Sequence, residues 1–188
     1  MKFLTIMVVA AFILSAASFA IVVFENYESK LPNATLGGPL SPKPLNKQDI
    51  AQTLGGTWTT VPSSSSLLNT SNSGGIGSPL GMLPGSIASD NYSNGNAYVQ
   101  SAVMAFVSDD YAVNYMSQMD TLLALVGGLQ NGSSPQSGVF QGIPFIWGNL
   151  NNVNGVIGQS GHFVIVIYGT GLTNEHSAEI LLSMAVNS

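Results

Sequence analysis

The stretch HFVIVIY, residues 162–168, carries the clearest strand signal in the chain. Its apolar residues follow one another without alternation, which is the pattern of a strand buried on both faces. Gly169 and Gly171 end the run. The stretch therefore predicts a strand at the centre of a sheet, and the other elements are placed around it.

Shorter runs rich in β-branched and aromatic residues predict further strands at residues 57–61, 98–107, 139–147 and 153–157. The last two of these runs and the central stretch lie close together in sequence. Such close spacing favours antiparallel hairpins, because parallel strands need long crossover connections.

Two helices are expected beside these strands. The first is predicted to have Ser108 as its N-cap, Asp109 and Asp110 in its first turn, and its end at the glycine pair 127–128. The second is capped by Thr173 or Asn174 and runs to about residue 186. The inward faces are predicted to carry Ala112, Met116, Met119, Leu123 and Val126 in the first helix, and Ala178, Leu181, Leu182 and Ala185 in the second. The sequence thus predicts an α+β domain in which two helices cover a mainly antiparallel sheet.

The domain organisation has three parts. Residues 1–24 are predicted to be a transmembrane anchor or signal segment, residues 25–50 a Pro- and Gly-rich stalk, and residues 51–188 the α+β domain. Within the domain, residues 62–96 form a long polar tract that is predicted to be a partly ordered loop. Its apolar island, Leu80, Met82 and Leu83, is predicted to dock on another surface.

The N-terminal segment decides the localisation. Phe3 to Phe24 is a run of 22 residues without a charge. As a helix it is about 33 Å long, enough for a bilayer core of about 30 Å. It exceeds the about 7–15 residues of the hydrophobic region of a usual signal peptide, which favours an uncleaved anchor, although small residues also permit cleavage after Ala20.

The charges that flank this run predict its orientation. Lys2 precedes it, and Glu25 and Glu28 follow it. The positive-inside rule then predicts a cytoplasmic N-terminus and an extracytoplasmic domain, which is secreted if the leader is cleaved.

The composition excludes several classes of function. Without cysteine the chain has no disulfide, no thiolate metal site and no cysteine nucleophile. Only 7 % of its residues are charged, against about 25 % in ordinary domains. No Lys or Arg follows Lys47, which excludes a nucleic-acid surface because phosphates need cations.

Uncharged polar residues take the place of these charges. Four N-x-S/T sequons lie in predicted loops and are glycosylation candidates, namely Asn33, Asn69, Asn91 and Asn131. A domain with few ion pairs loses little stability in acid, which favours an acidic exterior. In composition the chain resembles exported, membrane-anchored surface proteins of acid- and heat-loving archaea.

The chemical candidates are few. His162, His176 and Glu179 are a conceivable metal site, but these are the only two histidines and acid would protonate both. The sequence therefore predicts no metal, no cofactor, no catalytic residue and no enzymatic activity. Five aromatic residues are candidates for a ligand groove but are predicted to fill the core or an interface, namely Trp58, Tyr92, Tyr98, Phe145 and Trp147.

The functional hypothesis is a non-catalytic, membrane-tethered extracytoplasmic domain. It would act by protein–protein contact as an accessory subunit of an envelope or membrane complex. Two alternatives are a secreted filament subunit, whose residues 21–24 add as a strand to a neighbour, and an extracytoplasmic small-ligand-binding module.

Overall fold

The computed structural model describes residues 42–61, 68–69, 84–129, 134–150 and 153–187. The predicted anchor, residues 25–41 of the predicted stalk and the island of Leu80, Met82 and Leu83 lie outside the described residues. No helix within the described ranges is both long and apolar enough to cross a membrane.

The described residues form three helices and eight strands. The helices are α1 (Lys47–Leu54), α2 (Asp109–Leu129) and α3 (Glu175–Val186). The strands are β1 (Thr59–Val61), β2 (Leu68–Asn69), β3 (Ser86–Asn94), β4 (Ala97–Ala105), β5 (Gln136–Phe140), β6 (Ile143–Leu150), β7 (Val153–Ser160) and β8 (Phe163–Gly169).

All strands belong to one antiparallel sheet, in the order β1-β3-β4-β8-β7-β6-β5, and β2 shares the outer edge of β3 with β1. Strand β8 has three strands of this order on each side, and Phe163, Val164, Ile165 and Ile167 are buried. The prediction of a central buried strand is confirmed, and so is the mainly antiparallel α+β fold.

Helices cover both faces of the sheet. Helix α3 packs on β7 and β8, with α1 against it, and we call this side the α1/α3 face. Helix α2 packs on β6, β7 and β8 from the opposite side, which we call the α2 face. The core of the α1/α3 face includes Leu45, Ile50, Val99, Val156, Ile165, Ile167, Leu172, Leu181 and Leu182. The core of the α2 face consists of Met104, Phe106, Ala112, Met116, Ile146, Ile157 and Val164.

Helix α3 follows its prediction closely. The Oδ1 of Asn174 accepts a hydrogen bond from the backbone N–H of Ser177 at 2.8 Å, which confirms Asn174 as the N-cap. The four residues predicted to point inward, Ala178, Leu181, Leu182 and Ala185, are all fully buried. Helix α2 also begins where predicted, but it continues through the glycine pair 127–128 to Leu129, so the predicted stop was wrong.

The polar tract at 62–96 is not one loop. Strand β3 occupies residues 86–94 and pairs with β4 along its whole length, from Ser86 opposite Ala105 to Asn94 opposite Ala97. Its sequence, SIASDNYSN, is poor in strand-forming residues. Pairing with neighbours on both sides overrides that weak local preference.

The run at 139–147 was predicted as one strand and is a hairpin. Gln141 and Gly142 form the turn between β5 and β6, with φ angles of 50° and 83°. Two successive residues at positive φ match the right-handed twist of a two-residue hairpin. Pro144 has a partner in β5 but none in β7, so its missing N–H interrupts no ladder on that side.

The end of the predicted stalk belongs to the domain. The side chain of Asn46 caps α1 by accepting from the N–H groups of Gln48 and Asp49, and the carboxylate of Asp49 accepts from the N–H of Asn46. Leu45 and Ile50 are fully buried. The folded unit therefore begins at or before residue 42 and not at residue 51.

Candidate functional site

The predicted metal ligands lie in separate places. His162 is in the β7–β8 turn, where its Nδ1 is 3.9 Å from Oδ1 of Asp109 at the start of α2. His176 is in the first turn of α3, with its Nδ1 3.4 Å from Oε2 of Glu179. Within the described part of the chain, no group of three His, Asp or Glu side chains is arranged to hold a metal ion. Each histidine forms a pair with one nearby acid, and the two pairs lie in different parts of the fold.

Only one glycosylation candidate can be described in full. Asn91 lies inside β3, paired with both β1 and β4, and not in a loop as predicted. Its Oδ1 is buried and has no hydrogen-bond partner. Asn69 ends the short strand β2, and Asn33 and Asn131 lie outside the described residues. Glycosylation of all four stays a prediction.

The aromatic residues considered for a ligand groove mostly fill the core. Trp58, Tyr92 and Phe145 are buried in the α1/α3 face, and Trp147 packs against the same cluster. Tyr98 differs, because 40 % of it is exposed. The expectation that these residues serve packing is confirmed for all but Tyr98.

Helix α2 also carries three exposed apolar side chains on one side, which the sequence did not predict. Tyr111, Leu122 and Leu125 are 41 %, 38 % and 63 % exposed. Leu122 and Leu125 follow Tyr111 by about three and four helical turns, so the three side chains lie on one side of the helix. We call this set the α2 stripe. The spacing of these residues in the sequence, i, i+11 and i+14, is the signal that indicates the stripe.

The α2 stripe carries no charge. By helical angle, Asp109 and Asp120 lie on the other side of α2, and Asp110 lies about 100° from Tyr111. The exposed side chains of Asn114 and Gln118 lie between the three apolar residues and are polar but uncharged. Asp120 instead accepts a hydrogen bond from the Oγ of Ser137 in β5 at 3.5 Å. Single exposed apolar residues are normal on protein surfaces, whereas an aligned and uncharged set is typical of a contact surface.

The outer edge of β5 is a second candidate surface. No strand among the described residues pairs with that edge, and β5 is largely exposed. Val139 is 70 % exposed. The strand sequence, QSGVF, has no charged residue and no proline, which are the usual means of protecting an edge. Its backbone N–H and C=O groups are therefore open to pairing with another strand.

No family model and no curated protein matches the sequence. Among solved structures, the fold is similar to the extracellular domain of PknH from Mycobacterium tuberculosis. The likeness has a TM-score of 0.44 and 11 % sequence identity, over 78 % of this chain and 97 % of that chain. A likeness this distant carries no statement about function.

Proposed function

We propose that this chain is a non-catalytic, membrane-tethered extracytoplasmic domain. It acts by protein–protein contact as an accessory subunit of an envelope or membrane complex. The tether is the uncharged run from Phe3 to Phe24, and the contact surface is the α2 stripe. The stripe is the observation that carries the proposal.

The physical chemistry of the α2 stripe suits a protein partner. Burying the exposed part of each of its three side chains is favourable by about 1 kcal/mol. Interface centres are depleted in charge and enriched in aromatic residues, and Tyr111 fits this composition. Because no ion has to leave water, none of that gain is lost to the desolvation of charge.

The same argument defines the partner. A surface that docks on the stripe has to be largely apolar and uncharged, since the stripe offers no ion to pair with, and its polar groups are neutral, namely the Tyr111 hydroxyl and the neighbouring Asn114 and Gln118 side chains. An apolar helix or groove on another membrane-associated protein has this chemistry.

The test is purification of the native protein in mild detergent, with the partner identified by mass. Leu122→Gln and Leu125→Gln are expected to abolish co-purification while leaving the fold intact, because both side chains are exposed. Val113→Gln is the matched control, since Val113 is 50 % exposed on the same helix but off the stripe. A strictly monomeric wild-type protein contradicts the proposal.

The open edge of β5 supports a second candidate, a secreted filament subunit assembled by strand addition. In this case cleavage after Ala20 frees residues 21–24, IVVF, to pair with the β5 edge of a neighbouring copy. N-terminal sequencing separates the two candidates. A mature chain that begins at Ile21 favours the filament, and an intact Met1 rules it out.

A further inference from the structure

Three uncharged polar side chains lie side by side on the α2 face of the sheet. Asn91 of β3 is directly opposite Gln100 of β4, and Gln100 is directly opposite Tyr168 of β8. Directly paired residues share a face of the sheet. Tyr168 lies on the same face as Val164 and Val166, which are four and two residues before it and pack beneath α2. We call these three residues the polar row. It crosses the sheet beyond the part that α2 covers.

The row is bordered by hydroxyl groups on one side. Ser93 lies opposite Tyr98 and opposite Thr59 in the neighbouring row of residues. The hydroxyl oxygens of Thr59 and Ser93 are 3.3 Å apart. Tyr98, which is 40 % exposed, adds an aromatic ring to this border.

The row is bordered by bare backbone in the other direction. Gly155 lies opposite Tyr168, and Gly148 lies opposite Gly155. A Cβ at Gly148 would have no atom within 4 Å, so the space above this glycine is open. Because the two glycines have no side chains, there is a shallow depression beside the Tyr168 ring with room for a ring-shaped ligand.

The hydrogen bonds of the row leave unused capacity. The hydroxyl of Tyr168 donates to Oε1 of Gln100 at 2.5 Å, which leaves the Nε2 group of Gln100 as a donor. Oδ1 of Asn91 is buried and accepts from no group in the described structure. A buried acceptor without a partner is unfavourable by about 1–3 kcal/mol. A small rotation of the Asn91 side chain towards a ligand hydroxyl would remove that penalty.

The chemistry of the row selects one class of ligand. The row and its border contain no charged side chain, so a phosphate or carboxylate group would find no cation to pair with. A lipid chain would cover the amides without satisfying them. Burial, with Tyr98 adding to it, raises the pKa of Tyr168, so its hydroxyl stays neutral and keeps its proton. A neutral ligand rich in hydroxyl groups matches all these features.

We propose that the polar row, with Tyr98 beside it, is a binding site for a neutral carbohydrate. The Nε2 of Gln100 and the amide of Asn91 bond the sugar hydroxyls, one sugar ring lies against the Tyr98 ring, and the next sugar units extend over Tyr168 towards the bare glycines. The site is separate from the α2 stripe and goes beyond the protein-contact function.

The test is calorimetric titration of the full-length protein in mild detergent with neutral glucose and mannose hexasaccharides, and with an acidic uronate hexasaccharide of the same length. We expect saturable binding of a neutral probe. We expect Tyr98→Ala and Gln100→Ala each to weaken it by about tenfold, the equivalent of one lost contact. Val139→Thr, an exposed strand position on β5, is the matched control and leaves the affinity unchanged.

Two further measurements distinguish a binding site from an attached glycan and identify the source of the bound sugar. The intact mass of the purified protein shows whether a glycan is attached at Asn91, and saturable binding by protein without that glycan separates a binding site from an attached glycan. Release of a glycoprotein from the immobilised protein by the free hexasaccharide identifies a surface glycan as the source, and titration without such capture identifies a free sugar. Lack of binding to every neutral probe overturns the proposal, and so does equal binding of the acidic probe. It is also overturned if Tyr98→Ala and Gln100→Ala both keep the wild-type affinity and the wild-type melting temperature.

Discussion

Tyr92 shows how a single side chain joins the segment before α1 to the sheet. Its hydroxyl donates to the backbone oxygen of Leu45 at 2.6 Å, and the N–H of Leu45 donates to the Oγ of buried Ser101 at 3.1 Å. Both polar groups of Leu45 are thereby satisfied inside the core. The segment 42–46 is fixed by hydrogen bonds as well as by its apolar contacts.

Removal of the Tyr92 hydroxyl is expected to destabilise the domain. Tyr92→Phe leaves the oxygen of Leu45 buried without its donor, which lowers the free energy of unfolding by about 1–3 kcal/mol. Urea unfolding measures the change. Tyr98→Phe, at an exposed position, serves as the control and changes the free energy by no more than about 0.5 kcal/mol. Equal effects of the two substitutions would contradict this role of Tyr92.

The same hydroxyl predicts a loss of stability in alkali. Burial raises the pKa of Tyr92 to about 12, and the carboxylates of Asp90 and Asp49 add to the rise. The native state therefore keeps the proton at pH values where the unfolded state, with its usual pKa of about 10, has lost it. The contribution to stability is complete below about pH 10 and disappears as the pH approaches 12.

Denaturant unfolding at several pH values between about 9 and 12 checks this dependence. In Tyr92→Phe the decline is expected to be shallower. It does not vanish, because burial also raises the pKa of Tyr115 and of Tyr168. An identical slope in the wild type and the variant would show that Tyr92 does not carry the effect.

Gly158 is required by the close approach of α3. A Cβ at this position would lie 2.5 Å from Cδ2 of Leu182, whereas a Cβ at Gly148 would have no atom within 4 Å. Gly158→Ala is expected to lower the free energy of unfolding by about 1–3 kcal/mol through overpacking. Gly148→Ala, in the same sheet, is expected to be neutral or slightly stabilising. Thermal unfolding of the two variants measures the difference in stability. If Gly158→Ala does not change the stability, α3 can shift to make room for the added methyl group.

At the scale of elements, β8 and α3 were predictable because local sequence and tertiary role agree. The run FVIVI strongly favours a strand, and α3 has an apolar face of the correct period behind a polar N-cap. Local preference and burial point to the same structure in both segments.

The missed elements lack such agreement. Strand β3 has a largely polar sequence, and although β4 follows it through a two-residue turn, its long-range partner, β1, lies about 30 residues earlier in the chain. The β5–β6 turn uses Gln-Gly in place of the usual Asn-Gly or Asp-Gly, so the hairpin had no strong turn signal. Helix α1 follows prolines and has one buried residue, Ile50. The α2 stripe was visible in the spacing, but the polar row depends on register between β3, β4 and β8, which no local pattern encodes.

Helix α1 is expected to be essential for stability. A chain that begins at residue 55 lacks Leu45 and Ile50, both fully buried, and is expected to be less stable by about 3 kcal/mol or more than a chain that begins at residue 42. Comparison of the two chains by urea unfolding measures the difference. Equal midpoints would place residues 42–54 outside the cooperative unit.

At the scale of the whole molecule, ion pairs contribute little. In residues 42–61, 84–129, 134–150 and 153–187 the only close pairs of opposite charge use histidine, namely His162 with Asp109 and His176 with Glu179. Lys43 and Lys47 are the only lysines there, and neither forms a salt bridge. Stability rests on apolar burial and on neutral hydrogen bonds.

The free energy of unfolding is therefore expected to be almost independent of salt. Between about 0.01 M and about 0.15 M NaCl, where screening of exposed charges changes most, a shift below about 0.5 kcal/mol is expected. Chemical denaturation with urea, which is uncharged, is the suitable measurement. A shift above about 1 kcal/mol would reveal electrostatic interactions that these contacts do not account for.

The position of β8 has a consequence for the order in which the domain can assemble during synthesis. Strands β1 to β4 and strands β5 to β7 are two separate groups until β8 pairs with β4 on one side and β7 on the other, which places residue 103 opposite residue 165. The strand that joins them is the last of the eight to leave the ribosome. Before it emerges, neither group of strands has a completed core, so the domain is expected to fold only after residues 163–169 have left the ribosome.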